Sequence, residues 1–354
     1  MRQPSLFDLL KTHDSMTDRP PSDELEVYSY FAGAGGFCTG AAQAGCRVVY
    51  ACDSCPLALE THRRNHPQTQ HQCLVLPCQE AEDRLPRDGR RFHVHCSPPC
   101  TKFSQINRSN VVRGNRGAQG LSNAVDLIEW SFDMMLGSQC TSWSLEQVHE
   151  PEVVAIVERV RARHPQRVAY TAVDMRMLGV PQTRTRLLAA PPKLLAQLLR
   201  KRCKSRIRSV RQTLPMPRGT HLHSGCSTKE RRVRSARTAG ETKYVYTHLE
   251  PAARWAANSR PIDQPAYTVR GRHAMSWVTV RDGKAPDHSV LSARELAILQ
   301  TFPADFKLPT RKFDACLQVG NAVPPLVARL LLEDEVARTT SPSLRRPPKL
   351  PRWA

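Results

Sequence analysis

The amino-acid order predicts an α/β fold of the Rossmann-like kind, a mostly parallel sheet with helices on both faces, and three observations carry that prediction. A short β-prone run over residues 27–30 leads directly into the glycine-rich turn Phe31-Ala32-Gly33-Ala34-Gly35-Gly36-Phe37. A helix-length stretch at 39–44 and a second β-prone run at 47–51 follow, and the run ends in Cys52-Asp53. A third run, 92–96, ends at Ser97-Pro98-Pro99-Cys100 and gives way to a Gly/Asn/Arg/Ser-rich stretch from 107 to 120 that reads as a mobile loop. In open α/β sheets such strand ends face the ligand crevice.

Each element has a physical reason. Glycines at the first strand-to-helix crossing permit a tight turn and close backbone approach to a ligand. Asp53, about twenty residues beyond the turn, is placed to accept hydrogen bonds from ribose hydroxyls. Strand, turn, helix, strand and acid in this order describe a cofactor-binding half used by dehydrogenases and methyltransferases alike. At Cys100, a thiol with polar neighbours at a strand end can ionise and attack carbon. Taken alone, a small buried hydrophobe is the plainer account of that cysteine.

Composition narrows the class. At 354 residues and 40% hydrophobic content the chain can bury one large core and a smaller second one. A net charge of +20 and a pI near 9.9 call for a polyanionic partner. No run of 18 apolar residues and no basic amphipathic helix supports a membrane as that partner. Residues 1–24 are polar, read as a disordered leader, and hold no apolar core of signal-peptide length. The 3–10 segment QPSLFDLL lacks the paired aromatics of a clamp-binding peptide. An intracellular location is therefore expected, nuclear in a eukaryote and cytoplasmic otherwise, with the twelve cysteines mostly reduced. Of the close pairs Cys52/Cys55, Cys73/Cys78 and Cys96/Cys100, only the first has zinc-knuckle spacing and no second such pair follows, so no metal is expected.

The charge is concentrated. Residues 191–240 hold fourteen lysines and arginines, among them Arg200, Lys201, Arg202, Lys204, Arg206, Arg231, Arg232 and Arg234, against Glu230 alone. Clustered charge of this kind gives salt-dependent phosphate binding without choice of sequence. Runs at 244–246 and 265–269 read as strands of a small mixed domain over 191–285. The end of the chain, 337–354, is Pro/Arg/Lys-rich and reads as a basic disordered tail.

Six blocks in order, FAGAGGF at 31–37, SPPCTKFS at 97–104, Leu145-Glu146-Gln147-Val148, VPQTRTR at 180–186, RELAILQTFP at 294–303 and QVGNAVPP at 318–325, carry a resemblance to the cytosine carbon-5 DNA methyltransferases. The resemblance implies a seven-stranded sheet in a discontinuous catalytic domain over 25–190 and 312–336. It also implies a basic target-recognition domain over 191–285, a connecting segment over 286–311, and a C-terminal helix at about 324–333 that returns beside the first strand. It implies S-adenosylmethionine as cofactor, with Phe31 on the adenine, Gly33, Gly35 and Gly36 at the methionine part, and Asp53 at the ribose. Glu80 would stand in for the acid after the third strand, and Pro99, Asn321, Ala322 and Val323 would complete the pocket. Double-stranded DNA is the implied partner, acted on by a monomer.

The implied chemistry agrees with the residue types. Carbon 5 of cytosine is a poor nucleophile until a thiolate, that of Cys100, adds to carbon 6. Glu146 would protonate or hydrogen-bond ring nitrogen 3, and Arg186, with Arg184 beside it, would aim a guanidinium at the base oxygen. The base must be flipped out of the duplex, and a loop carrying Arg108, Arg113 and Arg116 suits closing over it. Four positions depart from the family's pattern: Thr101 replaces a glutamine, Ser54 an aromatic, Gln79 or Glu80 the third-strand acid, and Gln147 the asparagine that braces the cysteine loop. Two alternatives keep the resemblance: a tRNA cytosine-5 methyltransferase, whose Cys-Phe-Thr signature is absent here, and a catalytically silent DNA-binding relative. A dehydrogenase would leave Cys100, Glu146 and Arg186 without a role.

Overall fold

A computed structural model describes residues 24–99, 117–214, 242–247, 259–271, 275–280 and 287–340 of the protein. The glycine-rich turn connects β1 (Glu26–Tyr30) to α1 (Gly36–Gln43), and β2 (Arg47–Asp53), α2 (Pro56–Asn65) and β3 (Gln70–Cys73) follow. Next come β4 (Phe92–Cys96), α3 (Gly117–Gly137), β5 (Ser142–Gln147), α4 (Pro151–Arg163), β6 (Ala169–Asp174), β7 (Thr185–Ala190) and α5 (Pro192–Arg200). Every residue of β1 and β4 is buried, as a strand covered on both faces requires.

The seven strands form one sheet in the order β3-β2-β1-β4-β5-β7-β6. Pairing is parallel from β3 to β5, and β7 lies antiparallel between β5 and β6. The strand order reverses between β1 and β4, which puts the ligand crevice at the ends of those strands. One face is covered by α3 and α4 through Ile128, Phe132, Met135, Ile156 and Val160. The other is covered by α1, α5 and the C-terminal helix through Phe37, Leu194, Leu198, Val327 and Leu331. The helix Pro192–Arg200, which opens the 191–285 segment, thus packs into the core of the large sheet.

A second, antiparallel sheet has the order β11-β10-β8-β9, with β8 at Thr242–Thr247, β9 at Ser259–Pro261, β10 at Met275–Val280 and β11 at Asp287–Val290. Its core joins Met275 and Trp277 to Val210, Leu214, Ile262, Leu296, Phe302 and Val319, so α6 (Ala293–Leu299) and α7 (Lys312–Asn321) pack against this sheet. Ser292 and Glu295 close a capping box at the start of α6, and Glu295 also accepts the Trp277 indole N–H at 2.7 Å. Three sequence expectations change here. Residues 265–269 form no strand; Ala266 makes a single parallel bridge to Gln182, because the segment lies against the large domain and not in the small sheet. Helix α3 begins at Gly117, inside the stretch expected to stay irregular. Helix α8 (Pro325–Thr340) runs seven residues past the expected end at 333 and takes in the first four of the expected tail. Its inner residues Leu330, Leu331 and Leu332 are buried, and Val336 packs against the same core. The leader and residues 341–354 lie outside the described residues, and among those described no single helix is long and apolar enough to cross a membrane.

The C-terminal segment packs on α1 through two glycines. A Cβ on Gly40 of α1 would stand 2.0 Å from the Pro325 carbonyl oxygen and 2.7 Å from the Ala328 Cβ, and one on Gly36 would stand 2.3 Å from the Val323 oxygen. Contacts under 3 Å to backbone force the elements apart. Gly40→Ala is therefore expected to destabilise by about 1–3 kcal/mol despite alanine's better helix propensity. Gly137→Ala, with nothing within 4 Å, is expected to stay within about 0.5 kcal/mol of the wild type. Urea midpoints of the two variants decide it, and equal midpoints would refute the packing argument.

Candidate active site

The glycine turn, Asp53 and the ends of β4 and β5 meet at the strand-order reversal. Phe31, at the end of β1, adopts φ 57, a left-handed conformation that is uncommon for a bulky side chain and marks a strained, over-determined position. Its ring meets Trp130 edge-on at 6.1 Å, and its carbonyl accepts the Ser97 hydroxyl at 3.2 Å. Asp53 Oδ2 accepts the Gly33 N–H and Oδ1 the Cys55 N–H, each at 2.8 Å. That carboxylate ties the turn to the start of α2, and burial pushes its pKa upward against these N–H bonds. Gly33 has φ +55, and a Cβ there would meet nothing within 4 Å. The turn is thus packed behind, at Gly35 and Gly36, and open at Gly33, with a carboxylate at its rim. This cradle fits the nucleoside and amino-acid parts of S-adenosylmethionine.

Beneath the turn lies a group of histidines that sequence reading missed. His62 Nδ1 and His71 Nε2 are 2.8 Å apart, His66 Nε2 is 3.1 Å from Thr39 Oγ1, and a Cβ on Gly35 would be 2.9 Å from His62 Cδ2. A second pair, His93 and His95 of β4, bonds Ser142 and Ser144 of β5 at 2.8–2.9 Å, and Phe37 stacks on His95 at 3.5 Å. Their period-two spacing on a strand was the only available signal.

At the end of β5, Glu146 is buried, with Oε1 3.3 Å from Arg186 Nε and 3.8 Å from Arg184 Nη2. That oxygen takes no hydrogen bond: it is held by charge and keeps its lone pairs open. The next residue, Gln147, donates from Nε2 to the Pro98 carbonyl at 3.0 Å and accepts the Val148 N–H at 2.7 Å. Pro98 is two residues before Cys100, so the brace that the family's asparagine would supply is formed here by glutamine. Cys100 itself lies outside the described residues, as do Thr101, Arg108, Arg113, Arg116, Arg231, Arg232 and Arg234. The neighbouring Cys96 is fully buried and its thiol is pushed well above the ordinary range by that burial, which excludes it as a nucleophile.

Arg184, expected beside Arg186 at the base, is instead a buried structural residue. Its guanidinium donates to the carbonyls of Val269 at 3.4 Å, Gly320 at 3.3 Å and Ala322 at 3.1 Å, which draws β7, the small domain and the C-terminal segment together. Gln182 and Gln300, overlooked in the sequence although both stand in motif blocks, complete this junction. Gln182 Nε2 donates to Gln300 Oε1 and the Leu299 carbonyl, and Gln300 Nε2 donates to the Val319 and Ala322 carbonyls. Lys201 is likewise corrected: its ammonium is 3.0 Å from Glu333 and 3.1 Å from Asp334 of α8, which removes it from the set open to phosphates. Arg200, Arg202, Lys204 and Arg206 are exposed. Glu80 is on the surface with Oε1 accepting Gln72 Nε2 at 2.8 Å. Pro99 and Asn321 are exposed, and Ala322 and Val323 pack against the turn at Gly36. Among the described residues no three His, Cys, Asp or Glu side chains are placed to hold a metal ion.

Fold and site define a methyltransferase of the α/β class, and the chain belongs to the C-5 cytosine-specific DNA methylase family, whose model matches residues 25–135 and 166–336. It is similar to the Type II methyltransferase M.HgiDI of Herpetosiphon aurantiacus, with 24% identity over 340 residues, 92% of this chain and 99% of that one. Two solved structures share the fold at a TM-score of 0.58. One is a DNA modification methyltransferase encoded within an E. coli prophage (18% identity, 89% of this chain and 100% of that one), the other S. pombe Dnmt2 methyltransferase (14%, 90% and 100%).

Two outcomes follow from this geometry. Arg184→Met keeps the bulk but removes the donor to the Val269 and Gly320 carbonyls and one of Glu146's counter-charges, so a loss of about 3–5 kcal/mol is expected in urea unfolding; a loss below about 1 kcal/mol would refute the junction. Burial holds His66 and His71 down to about 4 and His93 to about 3, from an ordinary 6.5. Folded-state values below the unfolded one stabilise fully above pH 6.5, and that stability is lost as pH falls from about 6.5 through about 4. The melting temperature should fall steadily over this window, and His66→Gln should flatten the fall.

Proposed function

We propose that the protein is an S-adenosylmethionine-dependent DNA (cytosine-5)-methyltransferase. The observation that carries this reading is the buried Glu146 carboxyl, ion-paired to Arg186 through an oxygen that takes no hydrogen bond, next to a glutamine that holds the chain two residues before Cys100. A buried carboxyl of this kind suits a ring nitrogen that must gain a proton or a hydrogen bond as the ring loses aromaticity. Cys100 adds its thiolate to carbon 6 of the extruded cytosine, which makes carbon 5 nucleophilic. Glu146 holds the proton at nitrogen 3, and Arg186 holds the base oxygen and keeps the carboxyl oriented. When bound, S-adenosylmethionine supplies a methyl carbon made electrophilic by positive sulfur. Phe31, Gly33 and Asp53 are the residues that would hold it. Loss of the carbon-5 proton and release of Cys100 restore the ring. In this reading the small antiparallel sheet and the 191–285 segment form the target-recognition domain, and the exposed Arg200, Arg202, Lys204 and Arg206 provide phosphate contacts.

Bisulfite sequencing of duplex DNA incubated with the protein and S-adenosylmethionine tests the reading and reports the target. Methylated cytosines in one sequence context are expected with the wild type, a loss of about a thousandfold or more with Cys100→Ser, and about 10²- to 10⁴-fold with Glu146→Gln. A duplex with 5-fluorocytosine at the target, which cannot lose its carbon-5 substituent as a proton, should trap a covalent complex with the wild type and none with Cys100→Ser. Transfer to tRNA and not to duplex DNA, or no transfer at all, would overturn the reading.

A further inference from the structure

Arg270 is brought to the rim of this site by backbone geometry. Ala266 bridges Gln182 in parallel, with the Ala266 N–H donating to Pro181 at 3.0 Å and the Thr183 N–H to Ala266 at 2.8 Å. Further along, the Thr268 hydroxyl donates to the Thr183 carbonyl, the Val269 N–H to Gln182 Oε1 at 2.8 Å, and Arg184 to the Val269 carbonyl. The two segments run in one direction at the bridge, and beyond it Arg270 comes close enough to Arg186 for the two charges to act on each other. The Arg270–Gly271 backbone is packed against Gly320, where a Cβ would come within 2.1 Å of Gly271 N, so the position is fixed from both sides.

The charges at this place do not balance. Arg270 is partly buried, and burial, then the like charge of Arg186, lowers its pKa below the ordinary arginine range. Among the described residues Arg270 has neither an ion pair nor a side-chain hydrogen bond, and the Glu146 carboxylate beside Arg186 already faces Arg184 and Arg186. Arg270 thus stands by the like charge of Arg186 with no described carboxylate of its own, and a partly desolvated cation of this kind calls for an anion from outside the chain. A guanidinium fork matches phosphate oxygens in a way an ammonium does not. A flipped nucleotide turns about its own backbone, which leaves its flanking phosphates at the mouth of the pocket. The amino-acid carboxylate of S-adenosylmethionine is the less suitable anion, because β4 and β5 lie between the glycine turn after β1 and the Arg186 end of β7.

We infer that Arg270 grips a backbone phosphate flanking the flipped nucleotide, an assignment that rests on the DNA methyltransferase reading. The test is binding of the wild type, Arg270→Gln and Arg270→Lys to a duplex carrying the cytosine found by bisulfite sequencing, across a salt series, with S-adenosylmethionine affinity measured alongside. Arg270→Gln should bind about tenfold more weakly and reduce the slope of log affinity against log salt by about 1, whereas Arg270→Lys should keep the slope. Cofactor affinity should not change. A single methylphosphonate beside the target should weaken the wild type about tenfold and add nothing to Arg270→Gln; the wild-type arm alone decides the contact if the glutamine variant fails to fold. Unchanged DNA affinity and slope in Arg270→Gln, an unchanged response to the methylphosphonate, or a loss confined to cofactor affinity would each overturn the inference. If the wild type still methylates DNA in those cases, the functional reading survives. A wild type that neither binds nor methylates DNA would sink both.

Discussion

A carboxylate buried at the end of β5 sets conditions for everything around it. An ionised group away from water costs several kcal/mol unless opposite charge and hydrogen bonds compensate it, and Glu146 is compensated by two arginines from the neighbouring antiparallel strand. Arg186 answers the charge from the pocket side. Arg184 answers it from behind and is itself buried, so its Nη groups need acceptors within the protein. They find them in carbonyls of the small domain and of the turn before α8. The Glu146 carboxyl, the domain junction and the C-terminal return are therefore one electrostatic arrangement.

That arrangement needs the C-terminal segment to lie against the first helix, and backbone packing allows it. Gly36 and Gly40 lie on one side of α1, four residues apart, and bring Val323 and Pro325 to distances that any side chain would prevent. The same approach fixes Ala322, whose carbonyl receives both Arg184 and Gln300. A glycine pair in the first helix thus sets where a guanidinium 140-odd residues later can find its acceptors, which links the glycine turn to the surroundings of Glu146 through packing.

Much of this was legible in the sequence because it is local. β1, the turn and Asp53 announce themselves through alternation, glycine and spacing, and Glu146 and Arg186 stand in motif blocks whose residue types match the chemistry. What was not legible depends on partners distant in the chain. Arg184 stands just before β7 and Arg186 within it, two residues apart in one motif block, and nothing local says that one faces a set of carbonyls and the other does not. Residues 265–269 have strand composition but find a single bridge, because their donors and acceptors go to residues 181–184. Lys201 counts as one more charge in a basic run until α8 brings Glu333 and Asp334 to it. The buried histidines read as ordinary polar residues, and only tertiary contacts, such as the stacking of Phe37 on His95 and the approach of His62 to Gly35, show that they are part of the core beneath the glycine turn.

Gln147 shows how a departure from a family's pattern can preserve its physics. A glutamine is one methylene longer than asparagine and would overshoot a brace of fixed length if its chain stayed extended. Here its two amide atoms serve separate partners: Oε1 turns back to the N–H of the next residue at 2.7 Å, while Nε2 reaches the Pro98 carbonyl at 3.0 Å. The extra length is taken up in the curl, and the bond to its own neighbour fixes the curl in one rotamer. In the proposed mechanism a misplaced brace would cost rate, and here a side chain anchored at both ends of its amide holds Pro98. The substitution therefore changes how the segment at Pro98 is held and leaves intact the fact that it is held from the residue after Glu146.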